Sequence, residues 1–306
     1  MNVSSVTTYC DLVLFYSNLC FTLCGLPIQN SEEPNFITGL RAIAIFLVFL
    51  IHSGGGGLRK LGEAFNLFVD FGKYGVAMFF VISGFTIFYQ LYSGNYSYTK
   101  FLKIRISRIS IPYFPLIIII FAYISLGGEQ FNPWAIKFNN GVISLFNLFT
   151  HLTYLASFST KYATTIIGPE WTLHIEVFYY LILGYLITIG FLENKFRRLF
   201  FALIGSILIA FLFLYLGHAN LLDPLLVQWM PFKYAWMFVL GGVGYYCRNL
   251  VNNKLSKQIQ NIISNLTILL SITSIILLLN CKVINGVGPL NEAFFACLHN
   301  PEHVVH

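Results

Sequence analysis

The 306 residues are 57% hydrophobic and 17% aromatic, with 10% charged and a mean hydropathy of +0.73. A soluble domain carries about 25% charged residues, so this composition excludes a water-soluble globule and implies a polytopic membrane protein. The net charge of +6 does not imply a nucleic-acid partner: Lys and Arg gather in short stretches beside apolar runs, where they orient a chain in a bilayer.

A bilayer crossing needs ~20 apolar residues at ~1.5 Å each. Segments of this kind are 36–53, 74–92, 110–127, 170–191, 199–217, 232–248 and 259–280. The run 9–28 is apolar enough to add a helix but lacks the basic n-region and cleavage site of a signal peptide. The expected fold is all-α, a transmembrane bundle of about seven to nine spans. Residues 1–30 form an N-terminal apolar extension and 31–306 one membrane domain.

The first predicted span, FITGLRAIAIFLVFLIH, holds Arg41 and His52, and an ionisable side chain inside a membrane helix is a functional hypothesis by default. Eleven residues bring a helix back to within ~20° of its starting direction and ~16 Å further along, so the two share a face at different depths. The alternative is that Arg41 snorkels to the headgroups and His52 caps the far end. Gly54 to Gly57 follow, suited to a bend at a site or to a plain loop.

The second span contains GKYGVAMFFVISGFTIFY, in which Gly75, Ser83 and Gly84 are small enough for helices to approach closely. Next comes SYTKFLKIRISRISIPY, read as a basic loop ahead of the third span, with Arg105 and Arg108 at i, i+3 on one face. Two readings stand: a membrane anchor, or two guanidinium forks for a phosphate-bearing ligand. If SYTKFLKIRISR, ENKFRR and RNLVNNKLSK are all cytoplasmic, alternation requires that 142–165 not cross, as an interfacial or re-entrant segment.

The fourth span opens with GPEWTLHIEVFYYLI, placing Glu170, Trp171, His174 and Glu176 at a helix start. Glu176 reads as the deepest acid, to be neutral or paired, with His52 or Arg41 as partner. Glu170 and His174 lack an HExxH pattern and a third ligand, so no metal site is expected. His299, His303 and His306 read as a ragged terminus, and the six cysteines, without CxxC pairs, as small core residues.

In order and spacing these motifs resemble the acyltransferase-3 family of bacterial multispan membrane O-acyltransferases. The resemblance rests on GLRAIA with Arg41 and His52, GVAMFFVISGF from Gly75 to Phe85, Arg105 and Arg108 ahead of Pro112, and WTLHIEVFYY from Trp171. Two features depart from the family pattern: Ile104 precedes Arg105 where adjacent basic residues are usual, and family members run longer at the C-terminus. The resemblance implies an integral, multi-pass protein of the bacterial inner membrane. It would move an acyl group, commonly acetyl, from a donor such as acetyl-CoA to a hydroxyl of a sugar, lipid-linked glycan or surface polysaccharide such as lipopolysaccharide. No permanently bound cofactor is implied, and membrane lipid is the other partner.

On this reading His52 is the general base and Glu176 orients its imidazole, while Arg41, Arg105 and Arg108 neutralise the donor's phosphates. Trp171, Ser83 and His174 shape the acceptor side. Ser83 lacks a GxSxG context, so direct transfer is favoured over a covalent acyl-serine. The alternatives are a C-terminally short, inactive relative and a glycan flippase, although the latter usually shows internal repeats that this sequence lacks.

Overall fold

The computed structural model describes residues 35–254 except 53, 93–95, 129–143 and 194, together with 256, 258 and 259. The N-terminal extension, residues 260–280 of the span expected at 259–280 and the three C-terminal histidines fall outside the described residues. Every regular element among the described residues is helical: α1 (Asn35–His52), α2 (Glu63–Asp70), α3 (Tyr74–Tyr92), α4 (Tyr98–Tyr123), α5 (Leu145–Leu152), α6 (Trp171–Thr188), α7 (Phe196–His218), α8 (Pro224–Trp229) and α9 (Ala235–Lys254). Four stretches among the described residues are long and apolar enough to cross a membrane: Phe68–Tyr92, Tyr98–Gly127, Trp171–Thr188 and Phe196–His218. Phe36–His52 is a shorter apolar helix.

The expected third span begins earlier than its apolar run. Ser97 caps α4 by accepting from the Lys100 amide, so Lys100, Lys103, Arg105 and Arg108 form the first turns of a helix and not a loop. Its inner residues Phe101, Arg105, Tyr113 and Ile117 recur at multiples of four, which is one helix face. The opposite face exposes Ile111, Leu116, Ile118 and Ile119, and α7 exposes Phe201, Leu208 and Leu212 in the same way. Long apolar faces of this kind need a covering surface, and the composition of the chain points to lipid. By contrast α3 is buried on every side from Phe80 to Tyr89, as a helix that is apolar all round should be.

Segment 142–165 contributes α5, whose eight residues rise only ~12 Å, well short of a ~30 Å hydrocarbon core. The chain then runs through turns to Gly168 and folds back against α4 and α6. Tyr113, Ile117, Tyr154, Ile166 and Val177 share that core.

The fold divides into two compact units, Phe80–Tyr246 and the remainder, with α3 and α9 each contributing to both. In the larger unit α4 and α6 run antiparallel. Tyr98 bonds the Leu181 carbonyl and packs on Tyr185, Phe101 meets Tyr180, and Tyr113 meets His174. Tyr92 likewise bonds the Leu192 carbonyl. The basic start of α4 and the Lys195–Arg198 segment therefore lie at the same end of this unit, with Trp171 and α5 toward the other. Gly84 permits the tightest approach among the described glycines: a Cβ there would lie 2.1 Å from the carbonyl oxygen of Phe238 in α9.

In the smaller unit Gly75 seats against Ala44 and Leu47 of α1, and Asp70 pairs with Arg59 at 2.6 Å. Arg248, expected in a cytoplasmic basic loop, is instead wholly buried in α9, its guanidinium 4.4 Å from the centre of the Phe36 ring. A guanidinium is weakly hydrated and stacks on aromatic faces, which suits it to such a position.

Candidate active site

Three predicted motifs converge in the larger unit. Ser83 of α3 donates its hydroxyl hydrogen to Glu176 Oε1 at 2.7 Å, and Tyr180, one turn further along α6, donates to the same oxygen. The Tyr180 ring in turn supports Arg105, whose guanidinium carbon lies 5.9 Å from the ring centre and whose Nε donates to Gln90 at 2.8 Å. Ser83, Arg105 and Glu176 are all buried. A buried carboxylate receiving two hydroxyl hydrogens satisfies lone pairs that hydrocarbon would leave costly.

These contacts bear on three expectations. Arg105 and Arg108 do not form one open fork: Arg105 is 4% exposed and engaged with Gln90 and Tyr180, whereas Arg108 lies on the surface. A separation of three residues leaves ~60° between their directions, enough to turn one inward and the other to the rim. Glu170 is covered as completely as Glu176, by α5 and the following turns, at 3% exposure against 5%. Glu176 was expected to pair with His52 or Arg41; the groups that hydrogen-bond to it here are Ser83 and Tyr180.

His52 and Arg41 belong to the smaller unit. His52 is the last residue of α1, where its side chain is exposed, and Arg41 lies half-buried on the same helix. An imidazole at a helix end is stereochemically open to a substrate.

Trp171 opens α6 among aromatic rings, with centroids 5.2 Å from Trp229, 5.4 Å from Tyr234 and 6.3 Å from Phe80. His174 is enclosed, its Nε2 2.9 Å from the Tyr113 hydroxyl and its Nδ1 3.1 Å from Ser157 Oγ. Nearby, burial pushes the Tyr154 phenol above its usual range, while a hydrogen bond with Ser110 works the other way.

The sequence reading missed His151, Tyr113, Gln90 and Tyr180. Tyr180 was discoverable, since it stands four residues beyond Glu176 on one helix face. His151 and Tyr113 carried no comparable signal, because their partners lie far along the chain.

An all-helical, lipid-facing fold with a buried acid and a buried guanidinium defines a membrane protein with a polar site inside its helices. The sequence model described as "Acyltransferase domain" matches residues 35–298, and the chain belongs to the acyltransferase-3 family. It is thus a membrane acyltransferase. No curated protein and no solved structure matches the chain.

Proposed function

We propose that this protein transfers an acyl group, acetyl in the first instance, from acyl-CoA to a hydroxyl of a sugar or cell-surface glycan at the bacterial inner membrane. The observation that carries this reading is the convergence of three family motifs, through Ser83, Arg105 and Glu176, on one buried network. The basic end of α4 is the donor side. There the exposed Arg108 meets phosphates, and Arg105 holds the inner wall through Gln90 and Tyr180. Trp171 and His174, at the other end of α6, belong to the acceptor side.

His52 is the general base. Its free imidazole nitrogen takes the acceptor hydroxyl's proton as that oxygen attacks the thioester carbonyl. The C–S bond then breaks, and the imidazolium returns the proton to the departing thiolate. Such assistance contributes ~10²–10⁴-fold. Exposure supports the assignment, since His52 is accessible while His174 is enclosed. Direct transfer is favoured because Ser83 is 1% exposed and its hydrogen is committed to Glu176. Glu176 acts on this reading by holding Tyr180 and Ser83, so its part in the site is to fix helices α3 and α6 around the donor.

The test is transfer of radiolabel from acetyl-CoA to a membrane glycan extract by the purified protein in lipid nanodiscs. Labelled glycan is expected from the wild type, with loss of transfer in a folded His52→Ala variant. Folded wild-type protein that turns over no thioester refutes the reading.

A further inference from the structure

One buried polar cluster is left over from this scheme. His151, on the non-spanning helix α5, is wholly buried, and its Nδ1 lies 2.9 Å from the carbonyl oxygen of Asn147. A carbonyl only accepts, so Nδ1 carries a hydrogen and donates it. The other ring nitrogen, Nε2, lies 3.2 Å from Glu170 Oε1. A neutral imidazole protonated at Nδ1 and a carboxylate are both acceptors there, so this contact requires one proton shared between them. The same Oε1 accepts the backbone N–H groups of Ile166 at 3.2 Å and Ile167 at 3.1 Å.

Glu170 is the residue immediately before α6, and its own carbonyl accepts the Leu173 amide that opens the helix. Its side chain therefore ties three things at one atom: α5, the returning turn, and the first turn of the helix that carries Trp171 and Glu176. A second tie reinforces it, since the Asn147 side-chain amide donates to Thr165 Oγ1 at 2.8 Å. His174 packs its ring edge-on to His151 at 5.3 Å.

Stability alone is a poor reason for such a pair. Buried ion pairs seldom repay their desolvation relative to apolar residues of the same volume, whereas they do fix one arrangement among several. Glu170 Oε2 has no hydrogen-bond partner among the described residues, a further cost with no return in stability.

We infer that His151 and Glu170 are positioning residues, a proton-bridged clasp that fixes the start of α6, and with it Trp171 and Glu176, for acyl transfer. The inference rests on the acyltransferase reading above. Neither residue touches substrate; both act through the first turn of α6, where a misplacement of about 1 Å costs up to ~10²-fold in rate.

The test compares His151→Leu, His151→Gln and Glu170→Gln in nanodiscs by steady-state kinetics with acetyl-CoA and by amide hydrogen exchange. A glutamine amide nitrogen takes the place of Nε2 and donates to Glu170 without a shared proton. In contrast, Glu170→Gln leaves the imidazole with no acid to share one. His151→Leu and Glu170→Gln are expected to lower kcat by about 10- to 100-fold. Their KM for acetyl-CoA should stay within twofold, and faster exchange should be confined to residues 166–176. His151→Gln should restore most of the rate and the protection. Unchanged exchange at 166–176 in both disrupting variants overturns the clasp, as does loss of protection throughout the chain that glutamine does not rescue. If wild-type protein transfers no acyl group, the functional reading fails while the exchange experiment still decides the clasp.

Discussion

Gly84→Ala offers a sharp test of how the site is held. The added Cβ would sit 2.1 Å from the Phe238 carbonyl oxygen and 2.7 Å from two other backbone atoms of that residue, whereas ordinary contact begins at 3.4 Å. No side-chain rotation relieves a clash with backbone, so α3 and α9 must part by more than 1 Å. That movement strains the rings packed on Phe238, with Tyr179 at 4.1 Å and Phe80 at 5.1 Å between centroids. Overpacking of this kind costs about 1–3 kcal/mol. Ser83 is the adjacent residue, and its 2.7 Å bond to Glu176 cannot survive a comparable shift, so acyl transfer should fall as well. Gly205→Ala is the control: nothing lies within 4 Å of its Cβ, and alanine gains up to ~1 kcal/mol of helix propensity there. Heating the detergent-solubilised variants and following the fraction that remains monodisperse measures both effects. Equal heat resistance of the two alanine variants would refute the close-packing argument.

At Glu176, glutamine retains an oxygen able to accept from Ser83 and Tyr180, so Glu176→Gln should fold and lose only the charge-assisted part of those bonds. Glu176→Leu strands two buried hydroxyls at ~1–3 kcal/mol each, and denaturant titration should separate the variants clearly. Arg105→Lys should destabilise by about 1.5–3 kcal/mol, because an ammonium reproduces neither the Nε bond to Gln90 nor the stacking on Tyr180. Arg108→Lys should leave the melting temperature unchanged and act only on the KM for acetyl-CoA; a stability loss equal to that of Arg105→Lys would contradict their division into inner and rim positions. For topology, cysteines replacing the exposed Lys103 and Arg198 should both resist an impermeant thiol reagent in intact cells, whereas one at Leu155 should react. Labelling of 198 without 103 would break the antiparallel pairing of α4 and α6.

Much of this protein was legible in one dimension. Lipid exposure follows from composition, and the all-α class follows because only helices satisfy backbone groups within an apolar run. Family membership follows from short motifs whose order survives in the sequence. The short helix α5 within 142–165 agrees with the charge-alternation reading that this segment does not cross. What the sequence could not specify is which side chains meet. Arg105 and Arg108 look alike as letters, and only the packing of α4 on α6 turns one onto Tyr180 and leaves the other at the rim. Arg248 reads as a loop cation until α9 places it on Phe36. Glu176 meets Ser83 across a sequence separation of 93, and His151 meets Glu170 through a turn with no periodicity of its own. Hydropathy is a property of single residues and sets where a helix lies in the bilayer. Partner choice among polar groups depends on helix rotation and approach, which glycines such as Gly84 and the whole of the surrounding packing decide together.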